Sequence, residues 1–380
     1  MSVPESRRRP VRIVLVIGTT VGGVGTHVRS VVDRLPKDEF AVTVVGPPVT
    51  EEHFAFTASG ATFVPVTIST APRPGRDVIA IRRLRRVIAE VDADVVHARG
   101  FRAAALAGLA LGRRRAGRVA LMATWHNAVL GGGLRRRVVA ALETLAARRA
   151  DLTLGASQDL VRRALALGAP AAASAPVAAP ALPPPTRNPD DIRSELGATG
   201  RRLVVAVGRL APQKDYGTLL EAVRLLVARH DGVEVLVVIA GDGPERHLLQ
   251  TFIDMHRVPV VLLGHRSDVA DLLHAADAYV LSSVWEARAL VIQEAMRAGT
   301  PVVATEVGGI PELTGDGADA QLVPPGDPDA LAEAVFGVLT DDALRADLAE
   351  RGRRQARTWP DEDATAADLA RHYRRMAGVG

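Results

Sequence analysis

The sequence predicts an α/β protein made of two parallel-sheet halves, and three observations predict it. Short apolar, β-branched runs alternate with longer Ala/Leu/Arg stretches, the pattern of βα units whose strands are covered on both faces. A segment over 169–190 holding Pro170, Pro176, Pro180, Pro183, Pro184, Pro185 and Pro189 breaks the alternation; it has the composition of a semi-rigid linker. A second alternating series then starts at Leu203, and 380 residues suffice for two or three domains.

In the first half, the runs at 13–17, 42–45, 95–97 and 119–123 read as buried strands, and 25–35, 77–91 and 135–149 as helices. Arg7, Arg8 and Arg9 before the first run imitate a secretory leader, but the run is short and flows into a Gly-rich turn, so a first strand is expected. In the second half, strands at 203–207, 235–239, 260–263, 278–281 and 301–304 alternate with helices at 221–230, 290–298 and 330–339. Open sheets of this kind bind ligands at the carboxyl ends of their strands, so two of them facing each other are expected to enclose a cleft.

Composition narrows the function. With no cysteine, disulfides, thiolate catalysis and Cys-ligated zinc are excluded. No apolar run reaches the roughly 18 residues of a membrane span, and a cytoplasmic location is expected. The net charge of +4 is unevenly spread: residues 1–188 carry 27 Lys+Arg against 13 Asp+Glu, a net of +14, which leaves −10 for the rest. The basic half suits an anionic lipid or a phosphorylated acceptor, or is simply solvated arginine on helix faces. Aromatics at 3% argue against single-stranded nucleic acid.

The richest segment is Trp285-Glu286-Ala287-Arg288-Ala289-Leu290-Val291-Ile292-Gln293-Glu294-Ala295-Met296. Glu286 falls in the loop after a strand, and Glu294 about one turn inside the following helix, which Gly299 and Pro301 stop. Free N–H groups at Ala289, Leu290 and Val291 make an anion site. A diphosphate there leaves a ribose beside Glu294, whose carboxylate can accept from two hydroxyls. Arg209 and Lys214, in Gly208-Arg209-Leu210-Ala211-Pro212-Gln213-Lys214, follow the first strand of the second half.

Together with Gly299-Thr300-Pro301 and Val307-Gly308-Gly309-Ile310-Pro311-Glu312, these segments resemble the donor site of retaining GT-B glycosyltransferases of family 4. The resemblance runs from Ile13 to about Tyr373 and is dense between Val204 and Asp327. It implies an α/β GT-B fold, two Rossmann-like domains facing each other across a cleft. The domains are an acceptor domain at 1–175, a Pro-rich linker at 176–200, a nucleotide-sugar domain at 201–360, and a helix at 361–380 returning to the first. Arg209 and Lys214 would clamp the donor diphosphate, His265 and Arg266 would lie at the nucleobase, and Arg288 would add a cation near the donor or pair with Glu286. In the first half, Gly22 and Gly23 would meet the donor phosphate, with His27 following them. His126, after the strand at 119–123, would face the reaction centre with Glu286, and Arg99 stands where the family often has the second histidine of His-x-His after His97.

The activity so implied is transfer of a sugar, with retention, from a UDP- or GDP-type donor to a small-molecule or glycolipid acceptor. No cofactor, metal or nucleic acid is required. Peripheral association with an anionic membrane, at its inner face, is pointed to by Arg135-Arg136-Arg137 beside 138–142. Competing readings are a catalytically weak nucleotide-sugar-binding protein and a sugar-nucleotide epimerase or phosphorylase on the same fold. Asp92-Ala93-Asp94 imitates a metal-binding Asp-x-Asp but precedes its strand, so a turn is expected. The family commonly writes Glu-Gly-Phe-Gly-Leu where this chain has Glu286-Ala287-Arg288-Ala289-Leu290. If those alanines must adopt positive φ, each costs about 1 kcal/mol or more.

Overall fold

A computed structural model of the chain describes residues 9–20, 23–69, 72–112, 119–127, 133–179, 181–230 and 232–379, with backbone only at 133–136. The chain divides into two compact units, Met1–Ala178 with Pro360–Gly380, and Ala179–Trp359.

The first unit has seven strands: β1 (Val11–Val16), β2 (Phe40–Gly46), β3 (Thr62–Pro65), β4 (Val95–Arg99), β5 (Ala120–Trp125), β6 (Leu152–Gly155) and β7 (Ala172–Ser174). Its helices are α1 (Gly23–Arg34), α2 (Pro48–Phe54), α3 (Pro74–Val91), α4 (Phe101–Leu111), α5 (Gly133–Arg149) and α6 (Gln158–Ala166). The second unit holds α7 (Pro189–Leu196), β8 (Arg202–Val207), α8 (Tyr216–Arg229), β9 (Val235–Ala240), α9 (Arg246–His256), β10 (Val260–Gly264), α10 (Val269–Ala275) and β11 (Ala278–Leu281). It continues with α11 (Leu290–Ala298), β12 (Val302–Thr305), α12 (Ile310–Leu313), β13 (Gln321–Val323), α13 (Pro328–Thr340) and α14 (Asp342–Ala356). The last helix, α15 (Glu362–Met376), belongs to the first unit.

Both sheets are parallel, ordered β3-β2-β1-β4-β5-β6-β7 and β10-β9-β8-β11-β12-β13. In each, the order reverses beside the first strand, between β1 and β4 and between β8 and β11. That reversal opens a crevice at the carboxyl ends of the strands, where ligands bind. Register is fixed by burial: Leu15 pairs with Val44 and His97, and Val204 with Val237 and Ala278.

Alternate residues of β8 feed different cores. Val204 and Ala206 pack with α8 and α13, while Leu203 and Val205 pack with α10 and α11. Burial on both faces is why these strands read as unbroken apolar runs. Tyr373 of α15, with Leu369 and Ala370, packs among Val11, Ile13 and Phe40. Arg34 pairs with Glu362 at 3.0 Å and Asp363 at 2.7 Å, which ties the helix to α1.

The stretch expected as plain linker contains α7, begun by Asn188, whose side chain accepts from the Asp190 N–H. Its Ile192 is wholly buried in the second unit. The helix expected at 221–230 starts five residues earlier because Asp215, at φ 47°, caps it through Thr218. Among the described residues, no helix is long and apolar enough to cross a membrane.

Candidate active site

In the second unit, the strand ends flanking the sheet reversal carry the predicted donor residues. Gly208 leaves β8 at φ 159°, and a Cβ there would stand 2.9 Å from the Tyr216 hydroxyl and 3.0 Å from Lys214 Cε. Glycine therefore lets the lysine fold back over the strand end. Lys214 Nζ donates to Glu286 Oε1 at 2.7 Å, and Ser283 Oγ donates to the same oxygen at 2.9 Å. Both charged side chains are largely covered, at 19% and 12% exposure.

Backbone contacts hold the two loops together. Gln213 Nε2 donates to the Trp285 carbonyl at 2.9 Å, the Val284 N–H to the Gln213 carbonyl at 2.9 Å, and Ser282 Oγ to the Lys214 carbonyl at 2.9 Å. The Gly309 N–H donates to the Glu286 carbonyl at 2.9 Å. Gly308, at φ 55°, must be glycine: a Cβ there would lie 1.9 Å from that carbonyl. Gly-Gly in the sequence is thus the backing of the Glu286 loop.

Helix α11 opens at this loop. Its N-cap is Ala289, which supplies no side-chain acceptor, so among the described residues the first N–H groups at Leu290 and Val291 are left for an anion. Ala289 sits at φ −67°, and Ala287 also avoids positive φ. Both are buried. The alanines therefore bring no backbone strain to this loop.

Glu294 is half-buried, and that burial raises its pKa, with Arg297 opposing. The buried Tyr279 hydroxyl feels Tyr216, Glu286 and Glu294, each pushing its pKa further up after burial itself. The two glutamates eight positions apart thus converge on one neighbourhood. Arg209 is exposed in the same turn and has no partner among the described residues.

One expected pairing is not made, and two further predicted residues have local partners or exposure of their own. Arg288 does not pair with Glu286; its guanidinium lies over the Trp359 ring, 5.8 Å from the centroid, with Arg297 over the same ring at 6.0 Å. Burial lowers its pKa to about 10. Arg266 is locked by Asp268 at 2.6 Å and Glu195 at 2.9 Å, which fastens the loop after β10 to α7. His265 beside it is exposed.

In the first unit, β4 carries His97 and Arg99, His126 follows β5, and His27 lies in α1. His97 is wholly buried, bonded through Nδ1 to the Tyr373 hydroxyl at 2.7 Å and through Nε2 to Thr124 Oγ1 at 2.6 Å. Arg99, two residues on, is 5% exposed, with Nη1 3.4 Å from His126 Nε2. His27 stands edge-on to His126, with centroids 6.4 Å apart. Burial, then the Arg99 charge, lowers the pKa of His126 to about 3 and holds His27 and His97 well below the usual range. Gly23 begins α1, and Gly22 lies outside the described residues.

Sequence reasoning gave no role to Ser283, which bonds Glu286 three residues on, nor to Gln213, Trp359 or Tyr373, whose partners are distant in the chain. Asp92 ends α3 at φ 48°, and Asp94 accepts from the Arg12 N–H at 2.9 Å. The imitation metal motif is therefore a turn at the opposite end of β4. Among the described residues, no cluster of three or more His, Asp or Glu could hold a metal ion.

Comparison with known proteins finds a family model for each unit. The family model "Glycosyl transferases group 1" matches residues 188–355, and "Glycosyltransferase Family 4" matches residues 21–175. The chain belongs to glycosyltransferase family 4. This family 4 enzyme is 29% identical to the phosphatidyl-myo-inositol mannosyltransferase of Mycolicibacterium smegmatis, over 94% of this chain and 92% of the relative. It is 35% identical to the D-inositol 3-phosphate glycosyltransferase of Corynebacterium glutamicum, over 48% of this chain and 45% of that one. Among solved structures it resembles Anabaena HepE, crystallised with UDP, at a TM-score of 0.79 and 20% identity, covering 95% and 99% of the two chains. It also resembles sucrose-phosphate synthase of Thermosynechococcus elongatus, at 0.78 and 20%, covering 97% and 100%. The family 4 glycosyltransferase thus has the two-Rossmann α/β architecture of the GT-B fold.

Proposed function

We propose that this glycosyltransferase takes its sugar from a nucleoside-diphosphate donor bound by the second unit and passes it, with retention, to an acceptor bound by the first. The observation that carries the reading is the Lys214–Glu286 pair, held beside the start of α11, which has no side-chain cap, and Arg209, which has no partner among the described residues. Charge accumulates on the departing diphosphate, and preorganised cations lower that barrier. Arg209 can fork onto phosphate oxygens, while Lys214 acts as a point charge. In the free enzyme, Glu286 neutralises Lys214; a bound donor diphosphate takes over that role and leaves Glu286 to the sugar. Glu294 then accepts from ribose hydroxyls, and His126 serves the reaction centre in its neutral form. These cations fill the role a divalent ion would otherwise play, so chelation should leave turnover unchanged.

UDP is the donor nucleotide favoured by the likeness to HepE, solved with UDP and with UDP-glucose. A small molecule or glycolipid is the acceptor, in line with the relatives' names. Peripheral binding to an anionic membrane face is supported by the exposed arginines of α3, Arg76, Arg82, Arg83 and Arg86, beside Ile79 at 64% exposure. Salt-insensitive absence of liposome binding would remove that part. The Arg135–Arg136 pair lies outside the described side chains.

Lys214→Ala and Glu294→Ala are each expected to lower donor consumption at least a hundredfold with an unchanged melting temperature. Wild-type-like rates in both remove the mechanism. Donor binding without consumption in the wild type would instead favour the binding-protein reading.

A further inference from the structure

Arg99 is a buried cation that the first unit does not neutralise. Its side chain ends β4 at the sheet reversal, beside β5 and the start of α4. Among the described residues it makes no salt bridge, and no carboxylate contributes to its surroundings; only Tyr373 offsets its burial. Nη1 reaches His126, whereas Nε and Nη2 are buried with no hydrogen-bond partner. Those two nitrogens form one edge of the guanidinium, the edge that takes two oxygens of a phosphate or carboxylate side by side.

The neighbours cannot fill that edge. His97 has both ring nitrogens engaged, by Tyr373 and Thr124. His27, His97 and His126 cannot supply a negative charge in either protonation state, and burial with the Arg99 charge disfavours their cationic forms. An arginine buried this way is costly unless something anionic meets it.

We propose that the Nε–Nη2 edge of Arg99 binds an oxyanion of the acceptor, so that the acceptor is a phosphorylated or carboxylated molecule rather than a neutral sugar. This rests on the reading of the first unit as the acceptor unit. The anion can belong to a free phosphate ester or to a lipid headgroup, since both present the same pair of oxygens.

The test uses the full chain. UDP affinity is measured first, and it reports on the donor reading alone. Inorganic phosphate is then titrated calorimetrically into the UDP-saturated chain, so that the donor phosphate site is already filled. Wild type is expected to bind phosphate, and Arg99→Met to bind it at least tenfold more weakly with UDP affinity unchanged. Arg99→Met is also expected to melt at or above the wild-type temperature, because it removes an unpaired buried charge. A lower melting temperature, as a structural arginine would give, overturns the proposal, as does phosphate binding equal in both proteins or absent from wild type. Transfer assays then compare a polyol with its phosphate monoester, and phosphatidylglycerol with phosphatidylcholine vesicles. Preference for the soluble ester or for the anionic vesicle identifies the source; equal transfer to charged and neutral partners overturns the proposal.

Discussion

Replacing Gly308 by alanine tests how tightly the Glu286 loop is backed. The new Cβ would stand 1.9 Å from the Glu286 carbonyl oxygen and 3.0 Å from Trp285 Nε1. Carbon and oxygen normally meet at about 3.3–3.6 Å, so the loop must retreat by more than about 1 Å. Left-handed backbone costs alanine about 1 kcal/mol, and losing the Gly309 N–H bond to Glu286 costs roughly 1 kcal/mol more. A loss of about 2 kcal/mol in a unit of this size lowers its melting temperature by roughly 4–8 °C. The rate should fall further than the stability, because a misplacement on the order of 1 Å costs about a hundredfold. Gly326→Ala is the control: Gly326 has φ 71° but nothing within 4 Å of a Cβ, so it carries the backbone strain without the clash. Donor hydrolysis and thermal melting are measured on both variants. A Gly308→Ala rate within twofold of wild type, or an equal loss in Gly326→Ala, would refute the argument.

Two further outcomes follow from the same structure. His27, His97 and His126 have folded pKa values below the unfolded value of about 6.5. Below that pH the unfolded chain binds protons the folded one refuses, so stability is fully present above about 6.5 and is lost as pH falls. The steepest slope is about 1.4 kcal/mol per pH unit for each histidine; urea midpoints flat between pH 7.5 and 5 would contradict it. Restoring the family glycines by Ala287→Gly and Ala289→Gly relieves no strain, because neither alanine has positive φ. Each should lower stability by about 0.5–1 kcal/mol, and a rise in melting temperature would show that the loop does adopt the left-handed form.

The architecture was legible in the sequence because its signals are local. Runs such as Val204 to Val207 are apolar at every position since both faces of a parallel strand are covered. The strand–loop–helix around Glu286 and Glu294 follows from an apolar run, a polar loop and a helix closed by Gly299. Helix starts were less legible: α8 begins at Tyr216 because of one capping carboxylate, Asp215; β7 and β13, of three residues each, are too short to show periodicity, and β3 is only partly covered.

The sequence by itself therefore determined two alternating α/β series and which loops follow the longer strands. Only the tertiary structure decided the partners of the charges. Lys214 meets Glu286 across 72 positions, Arg288 turns to Trp359, Arg266 is consumed by Asp268 and Glu195, and Arg99 has no counterion among the described residues. The physical reason is range. Periodicity and capping act within a few residues, whereas the fate of a long charged side chain depends on which distant element the fold sets beside it.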